Sequence, residues 1–185
     1  MKGNEELCAR MLRLGFRKAI ITSVAGIEGR RIDGIAARLG LDDKVAQHKK
    51  HGRLPTSAQV VGKLDRHREG VNFLTIYLGI ATNPREQVDI DEFIRAFEVY
   101  REITCEFQDK KLSDEILDAN FCWVLARDFR GSDLNVLPCS SCNKSYLHRI
   151  EDAGVLLACP YCGHKTPLNF KQWQKGNEPD RFKAH

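Results

Sequence analysis

The chain has 185 residues, a formal net charge of +4 at pH 7 and 42% hydrophobic residues. This length and composition predict one main globular domain with a small appendage. The longest largely apolar stretch, residues 73–81, is far too short for a transmembrane helix, so no membrane partner is expected. The acidic N-terminal residues differ from the basic start and apolar run of a signal peptide, so we expect a cytoplasmic protein.

The charges are distributed unevenly along the chain. Residues 30–68 contain ten Lys and Arg against four Asp, a net charge of +6. Residues 86–120 contain eleven acidic residues against four basic ones, a net charge of −7. This asymmetry favours a basic face for nucleic acid and an acidic face for another partner, although solvated helix surface is the alternative.

The first predicted elements are two helices joined by a glycine turn. Residues 5–25 and residues 29–39 both carry apolar side chains at helical spacing, and Gly40 can end the second helix. Between them lies a short turn that contains Gly26. A helix, a tight turn and a second helix with exposed arginines resemble a helix-turn-helix, and a plain helical hairpin is the alternative.

Six basic residues are candidate DNA contacts. Three lie on the expected exposed side of the second helix, and three lie in a basic loop, residues 47–55, that could equally be a plain connector. These residues are Arg30, Arg31, Arg38, Lys49, Lys50 and Arg53.

The middle of the chain is predicted to be helical and to form the core. A capping box at Thr56 and Gln59 opens a helix expected to reach about residue 81. After Pro84, Asp89 or Asp91 can cap an amphipathic helix. Its apolar stripe consists of Ile90, Phe93, Ile94, Phe97, Tyr100, Ile103 and Phe107.

One more helix is expected before the C-terminal cysteines. Ser113 is its predicted N-cap, and Gly131 closes the helical domain, residues 1–131. Residues 132–138 are predicted to be a linker at the start of the appendage, residues 132–168, and residues 169–185 to be a flexible tail.

The cysteines of the appendage give the most specific signal in the chain. Cys139 and Cys142 form one Cys-x-x-Cys pair, and Cys159 and Cys162 form a second pair after a sixteen-residue spacer. Four thiolates can close a tetrahedron around one Zn²⁺ and leave no open position, which favours a structural metal over a catalytic one. We therefore predict one Zn²⁺ per chain.

The residues around the pairs favour a zinc ribbon. Residues 145–150 and 155–159 are predicted to form two strands joined by a turn at residues 151–154. Gly163 follows the second pair, where a backbone with positive φ is often needed.

Other uses of the cysteines remain open. Disulfides are disfavoured by the odd number, seven, and a rubredoxin-like iron centre would use the same four ligands. A glutaredoxin-like dithiol at Cys159 and Cys162 lacks the long following segment that such a fold requires. His148 or His164 could replace a cysteine as a ligand. The remaining thiols, Cys8, Cys105 and Cys122, are expected to be buried in helices.

The whole pattern resembles the FlhC family, a subunit of the bacterial master transcriptional activator of flagellar genes. The similarity runs from about Leu12 to Cys162, and its most specific part is the four-cysteine segment with its spacer. Residues 52–57, Gly-Arg-Leu-Pro-Thr-Ser, are similar to a segment that follows the family's early helices. Residues 93–105 and 117–137 are similar in helical register.

The resemblance implies a mainly α-helical fold with a zinc-bound C-terminal segment. It also implies a heterohexamer with an FlhD-type subunit that binds double-stranded promoter DNA and recruits RNA polymerase to flagellar operons. The sequence thus predicts a transcriptional activator rather than an enzyme, since no Walker loop, dinucleotide fingerprint or nucleophile elbow is present. The alternatives are a zinc-dependent protein-interaction module without DNA binding and an iron-thiolate electron carrier.

Overall fold

The computed structural model describes residues 2–41, 54–108, 117–150 and 158–165, with side chains described from residue 3 and not for residues 105–108. The described part is mainly α-helical, as predicted, and it contains one two-stranded sheet. The elements are α1 (Lys2–Arg13), α2 (Lys18–Ala25), α3 (Gly29–Arg38), α4 (Ser57–Val61), α5 (Leu64–Ile80), α6 (Ile90–Gln108), α7 (Ala119–Arg130), β1 (Leu134–Pro138) and β2 (Ser145–Arg149).

The single helix predicted over residues 5–25 is wrong, because the chain turns between α1 and α2. Gly15 has a φ of 82°, and the backbone N–H groups of Gly15 and Phe16 bond back to α1, which ends the helix in a Schellman motif. The buried side chain of Asn120 in α7 fixes this turn. Its oxygen accepts from the Arg17 N–H at 2.8 Å, and its amide donates to the Gly15 carbonyl at 3.1 Å.

Helix α3 begins and ends as the sequence predicts. Gly40, with a φ of 63°, bonds to the Ala37 carbonyl, and the N–H of Leu41 bonds to the Ala36 carbonyl. Helices α1, α2 and α3 contact one another in a three-helix unit. Each helix contributes buried apolar side chains to the core of this unit, including Met11 of α1, Ile21 of α2 and Ile32 of α3.

The helix predicted from Thr56 to about residue 81 is two helices, α4 and α5. The capping box of Thr56 and Gln59 opens α4 as predicted. The chain then breaks at Lys63, whose φ of −126° and ψ of 122° are extended. The break leaves the Val61 carbonyl without a helical partner, and the ring of His67 bonds to it at 3.2 Å. A side chain thus replaces the missing backbone bond.

The core of the molecule is built on aromatic side chains of α5 and α6. Phe73 and Tyr77 of α5 contact Phe93 of α6, with ring centroids 5.6–6.2 Å apart. The predicted stripe is buried at Phe93, Ile94, Phe97 and Tyr100. Ile90 is half-buried, and Ile103 is 42% exposed. Phe107 lies outside the described side chains.

The helix caps agree with the sequence at α6 and differ at α7. The carboxylate of Asp89 accepts from the N–H groups of Asp91 and Glu92, so Asp89 caps α6. The N-cap of α7 is Asp118, not Ser113, because the Asp118 carboxylate accepts from the N–H groups of Asn120 and Phe121. Residues 113–116 lie outside the described part of the chain.

The segment predicted as a linker, residues 132–138, contains strand β1. It pairs antiparallel with β2, in a register that places Leu134 opposite Arg149 and Pro138 opposite Ser145. The strand predicted at residues 145–150 is therefore present, but its partner is β1. Residues 151–157, which include the predicted turn and most of the other predicted strand, lie outside the described residues.

The guanidinium of Arg85 contacts both the start of β1 and the end of α7. It stacks over the Phe129 ring at 3.7 Å from the centroid and donates to the Phe129 carbonyl. It also donates to the buried Asn135 side chain of β1 at 2.8 Å. These contacts fix the direction in which β1 leaves the helices. In the described part of the chain no helix has the length and apolarity needed to cross a membrane.

Candidate functional site

The four cysteines of the two Cys-x-x-Cys pairs lie together. Their sulfur atoms are all within 4.8 Å of one another. The Sγ atoms of Cys139 and Cys162 are 3.7 Å apart, as are those of Cys142 and Cys159. Zn–S bonds of about 2.3 Å in a tetrahedron place the sulfurs about 3.8 Å apart, whereas a disulfide requires about 2.0 Å. The four cysteines are spaced as ligands of one metal ion, not as disulfides.

The two pairs are held by backbone turns of the same kind. In the first turn the Cys139 N–H donates to the Lys144 carbonyl, and the Asn143 N–H donates to the Cys139 carbonyl. In the second the Cys159 N–H donates to the His164 carbonyl, and the Gly163 N–H donates to the Cys159 carbonyl. We call these turns the first and second knuckles. Each has a residue with positive φ after its second cysteine.

That residue is Asn143 in the first knuckle, with φ 56°, and Gly163 in the second, with φ 71°. Glycine adopts this conformation without steric cost, and asparagine tolerates it better than most residues. The predicted need for glycine after the second pair is confirmed. The equivalent role of Asn143 was missed, although the same position after a Cys-x-x-Cys pair indicates it.

The electrostatics of the thiols favour binding of a cation. The backbone N–H of Cys142 is the main cause that lowers the pKa of Cys139 to about 6. At Cys142 the backbone N–H of Lys144 lowers the pKa, but burial and the three neighbouring thiols outweigh it and raise the pKa to about 11. The thiolate form is thus favoured at Cys139 and disfavoured at Cys142. A divalent cation would compensate the additional negative charges.

A small apolar cluster surrounds the cysteines. Leu137 of β1 and Tyr146 of β2 are buried against Cys139 and Cys159. Cys139 and Cys159 are buried, Cys142 is half-buried and Cys162 is exposed. One side of the group therefore faces the protein, and the other faces solvent.

The second knuckle contacts the helices through Tyr161. Its ring packs edge-on against His67, with centroids 6.3 Å apart. The guanidinium of Arg68 lies 5.7 Å from the ring centroid of Tyr161, and the Lys144 ammonium lies 5.4 Å from it. These contacts bring residues of α5 and of both knuckles together.

His67 also links α5 to strand β2. Its Nε2 accepts a hydrogen bond from the Leu147 N–H at 2.8 Å, so its Nδ1 carries the proton donated to the Val61 carbonyl. The side chain is 2% exposed, and burial lowers its pKa. Sequence reasoning missed His67, because its role depends on the break between α4 and α5.

The two histidines considered as ligands are not part of the metal-binding group, which among the described residues consists of the four cysteines. His148 is buried in β2 opposite Asn135, and His164 is exposed. Cys8 and Cys122 are buried thiols, as predicted. Burial raises the pKa of both thiols. Cys105 lies outside the described side chains.

The predicted helix-turn-helix corresponds to α2, a turn at residues 26–28, and α3. Gly26 forms the turn with a φ of 64°, and Ile27 is buried beneath it. Helix α1 packs against both helices. An ion pair also joins Lys18 of α2 to Asp33 of α3.

The candidate DNA contacts are only partly described by the structure. Arg30, Arg31 and Arg38 are exposed on α3, as predicted. Arg31 and Arg38 both form ion pairs with Glu5 of α1, whereas Arg30 makes no ion pair with any described residue. The three loop residues lie outside the described part of the chain: Lys49, Lys50 and Arg53.

Comparison of the chain with protein-family models and with curated proteins finds no significant match.

Proposed function

We propose that this protein is a DNA-binding transcriptional activator whose C-terminal segment is stabilised by zinc. The observation that carries the proposal is the α1–α3 unit: α2, a three-residue turn and α3 follow one another, and all three helices are in contact, as is typical of helix-turn-helix proteins. In this proposal α3 is the recognition helix. It presents Arg30 at its N-terminal end, the end that contacts base edges in this class.

Zinc is the metal that we propose for the four thiols. The spacing of the sulfurs suits a closed tetrahedral site, and such sites stabilise folds instead of activating water. When bound, zinc would supply folding free energy to the two knuckles, and Cys139, Cys142, Cys159 and Cys162 would hold it.

The metal is tested by elemental analysis of purified protein. We expect one zinc per chain, loss of the metal in Cys159→Ser and full retention in the control Cys122→Ser, whose thiol is buried elsewhere. Full zinc content in Cys159→Ser would contradict the assignment of the four cysteines as the metal ligands. A coloured protein with a visible charge-transfer band would instead identify iron and favour the electron-carrier alternative.

The resemblance to the FlhC family supports a more specific function. On that basis we propose that the protein acts with an FlhD-type subunit, in a heterohexamer, at flagellar operon promoters, where the complex recruits RNA polymerase. The four-cysteine segment with its spacer is the strongest part of that resemblance. The three-helix unit is consistent with DNA binding but does not identify the promoter.

DNA binding is tested by co-purification with an FlhD-type subunit, followed by titration with a flagellar promoter fragment and a random duplex across a salt series. We expect tighter binding to the promoter. Arg30→Ala should lose about 1–3 kcal/mol on the promoter and much less on the random duplex, because a base contact carries the specificity. Equal losses on both duplexes would contradict a recognition role for α3.

The basic loop is tested in the same titration. Alanine at Lys49, Lys50 and Arg53 together should weaken binding to both duplexes and flatten the salt slope by up to about three units, if each residue neutralises one phosphate. An unchanged dependence of log affinity on log salt would show that the three residues do not bind phosphates.

A second function, a zinc-dependent protein-interaction module without DNA binding, is favoured by one observation. The positive charges of Arg31 and Arg38 are partly neutralised within the protein by Glu5. Under this alternative the protein binds its partner subunit but shows no salt-dependent binding to either duplex.

A further inference from the structure

Two arginines of α3 converge on one carboxylate of α1. The Nε and Nη2 atoms of Arg31 both donate to Oε1 of Glu5, the former at 3.1 Å. Nη2 of Arg38 lies 3.5 Å from the other oxygen, Oε2. Arg31 and Arg38 are seven residues apart, so both lie on the same face of α3. The two guanidinium groups therefore enclose a single carboxylate. The three side chains together carry a net charge of +1.

This arrangement has the features of a phosphate site. Paired guanidinium groups bind phosphate oxygens through several N–H donors at once, and arginine is preferred for that geometry. The hydrogen-bonded guanidinium of Arg31 lowers the pKa of Glu5. The carboxylate therefore stays ionised and continues to occupy the site in the free protein. Glu5 takes the position that an external phosphate oxygen would take.

The occupant can be exchanged. The side chains of Arg31, Arg38 and Glu5 are 48%, 68% and 36% exposed, so the ion pairs are accessible to solvent and to ligands. Exposed ion pairs contribute little to stability and weaken as salt rises. A phosphodiester held nearby by other contacts can therefore displace the carboxylate at small cost.

The three-helix unit does not depend on Glu5 for its shape. The Asn4 side chain of α1 donates to the Ala25 carbonyl at the end of α2, at 3.0 Å, and Lys18 pairs with Asp33 between α2 and α3. Buried apolar side chains of all three helices lie between them. Replacement of Glu5 should leave the fold intact.

We propose that Arg31 and Arg38 form a phosphodiester-binding site on α3, and that Glu5 is an internal competitor that fills this site until duplex DNA displaces it. The proposal rests on the proposed DNA-binding function and adds a regulatory residue to it. Because backbone phosphates are the same in every sequence, Glu5 weakens binding to all duplexes and so limits non-specific binding. Base contacts from Arg30 are not affected by this competition.

The test compares Glu5→Gln with Glu6→Gln in complex with the partner subunit. Glu6 is the next residue of α1, is exposed and forms no ion pair with a described residue, so its replacement removes the same charge without opening the site. Glu5→Gln should bind a random duplex several-fold more tightly than wild type at low salt, and the gain should shrink towards none at high salt. Glu6→Gln should gain clearly less.

A double-mutant comparison separates competition from general electrostatics. The gain from Glu5→Gln should vanish when Arg31 and Arg38 are both replaced by glutamine. Equal gains for Glu5→Gln and Glu6→Gln, or a gain that persists without the arginines, would overturn the proposal. Urea unfolding of each variant checks that the fold is retained.

Inorganic pyrophosphate is the second probe, and it keeps the inference testable apart from DNA. By isothermal titration, Glu5→Gln should bind pyrophosphate more tightly than wild type and than Glu6→Gln. If no variant binds either duplex but this order holds, the proposed DNA function fails and the anion site stands. If the duplexes bind wild type but Glu5→Gln gains nothing with either probe, the site proposal fails alone.

Discussion

The imidazole of His67 joins two parts of the chain through opposite edges of its ring. Nδ1 donates to the Val61 carbonyl, and Nε2 accepts from the Leu147 N–H of β2. Only the neutral ring can do both, because a protonated Nε2 would face the Leu147 N–H as a second donor. The folded state therefore requires uncharged His67.

This requirement predicts a loss of stability in mild acid. Burial lowers the pKa of His67, so the unfolded chain takes up a proton near pH 6.5, where the folded chain does not. The contribution of the neutral ring is complete above about pH 6.5 and is lost as the pH falls from there through the folded-state pKa. Urea unfolding between pH 7.5 and 5 should show this decline.

The variant His67→Asn should have a shallower decline over the same range, because it has no proton to gain. It should also be less stable at pH 7.5 by about 1–3 kcal/mol, since the Leu147 N–H and Val61 carbonyl lose a partner. His164→Asn is the control, because His164 is exposed and its replacement should leave the curve unchanged. Parallel curves for wild type and His67→Asn would contradict this role.

Single residues differ in how far the sequence could predict them. The four cysteines were grouped correctly because their spacing is itself the signal of a metal site. Glu5 and His67 were missed, because each acts on residues that are distant in the sequence: Arg31 and Arg38 for Glu5, and Leu147 for His67. Nothing in the local pattern around either residue reports such a contact.

The two knuckles are short elements whose shape depends on one backbone conformation each. No atom lies within 4 Å of a Cβ added at Gly163, so Gly163→Ala introduces strain from the positive φ but no clash. We expect a cost of about 1–2 kcal/mol, measured as weaker metal retention against a chelator. Asn143→Ala should behave in the same way and Asn143→Gly should not, because glycine removes the strain.

Glycines of α5 give a matched test of helix packing. A Cβ on Gly70 would lie 2.8 Å from side-chain atoms of both Leu147 and Val60. Gly70→Ala should therefore destabilise the protein by about 1–3 kcal/mol, despite the better helix propensity of alanine. Gly79→Ala, on the same helix but with open space around it, should be neutral or stabilising by up to about 1 kcal/mol. Equal effects in urea unfolding would show that Gly70 is not a site of close packing.

At the level of elements, the sequence predicted most helix caps, with Ser113 as the exception, but missed the breaks inside the predicted helices. The caps at Thr56, Asp89 and Gly40 were found because a local side chain or glycine satisfies the free backbone groups. The turn at Gly15 and the break at Lys63 were not found, because distant side chains, Asn120 and His67, stabilise them. The sequence predicts a linker in place of strand β1, because the strand is only five residues long and ends in proline.

At the scale of the whole molecule, the sheet belongs to two cores. Leu134 of β1 and Leu147 of β2 are buried in the main helical core, while Leu137 and Tyr146 are buried around the cysteines. The strand β1 thus carries a residue of each core within five positions. This division could not be predicted from the sequence, because both sets of residues are apolar and their different surroundings appear only after folding.

Because the sheet is shared between the two cores, we expect the unfolding that follows metal removal to stop at the sheet. Removal of the ion by a chelator should open the knuckles, so the amides of Cys139, Asn143, Cys159 and Gly163 should exchange with deuterium within the first time points. The Leu147 amide should remain protected, because His67 holds it from the helical side. In His67→Asn that protection should also be lost after chelation. Rapid exchange throughout α5 in the metal-free wild type would instead show one cooperative unit, in which the metal and the helices unfold together.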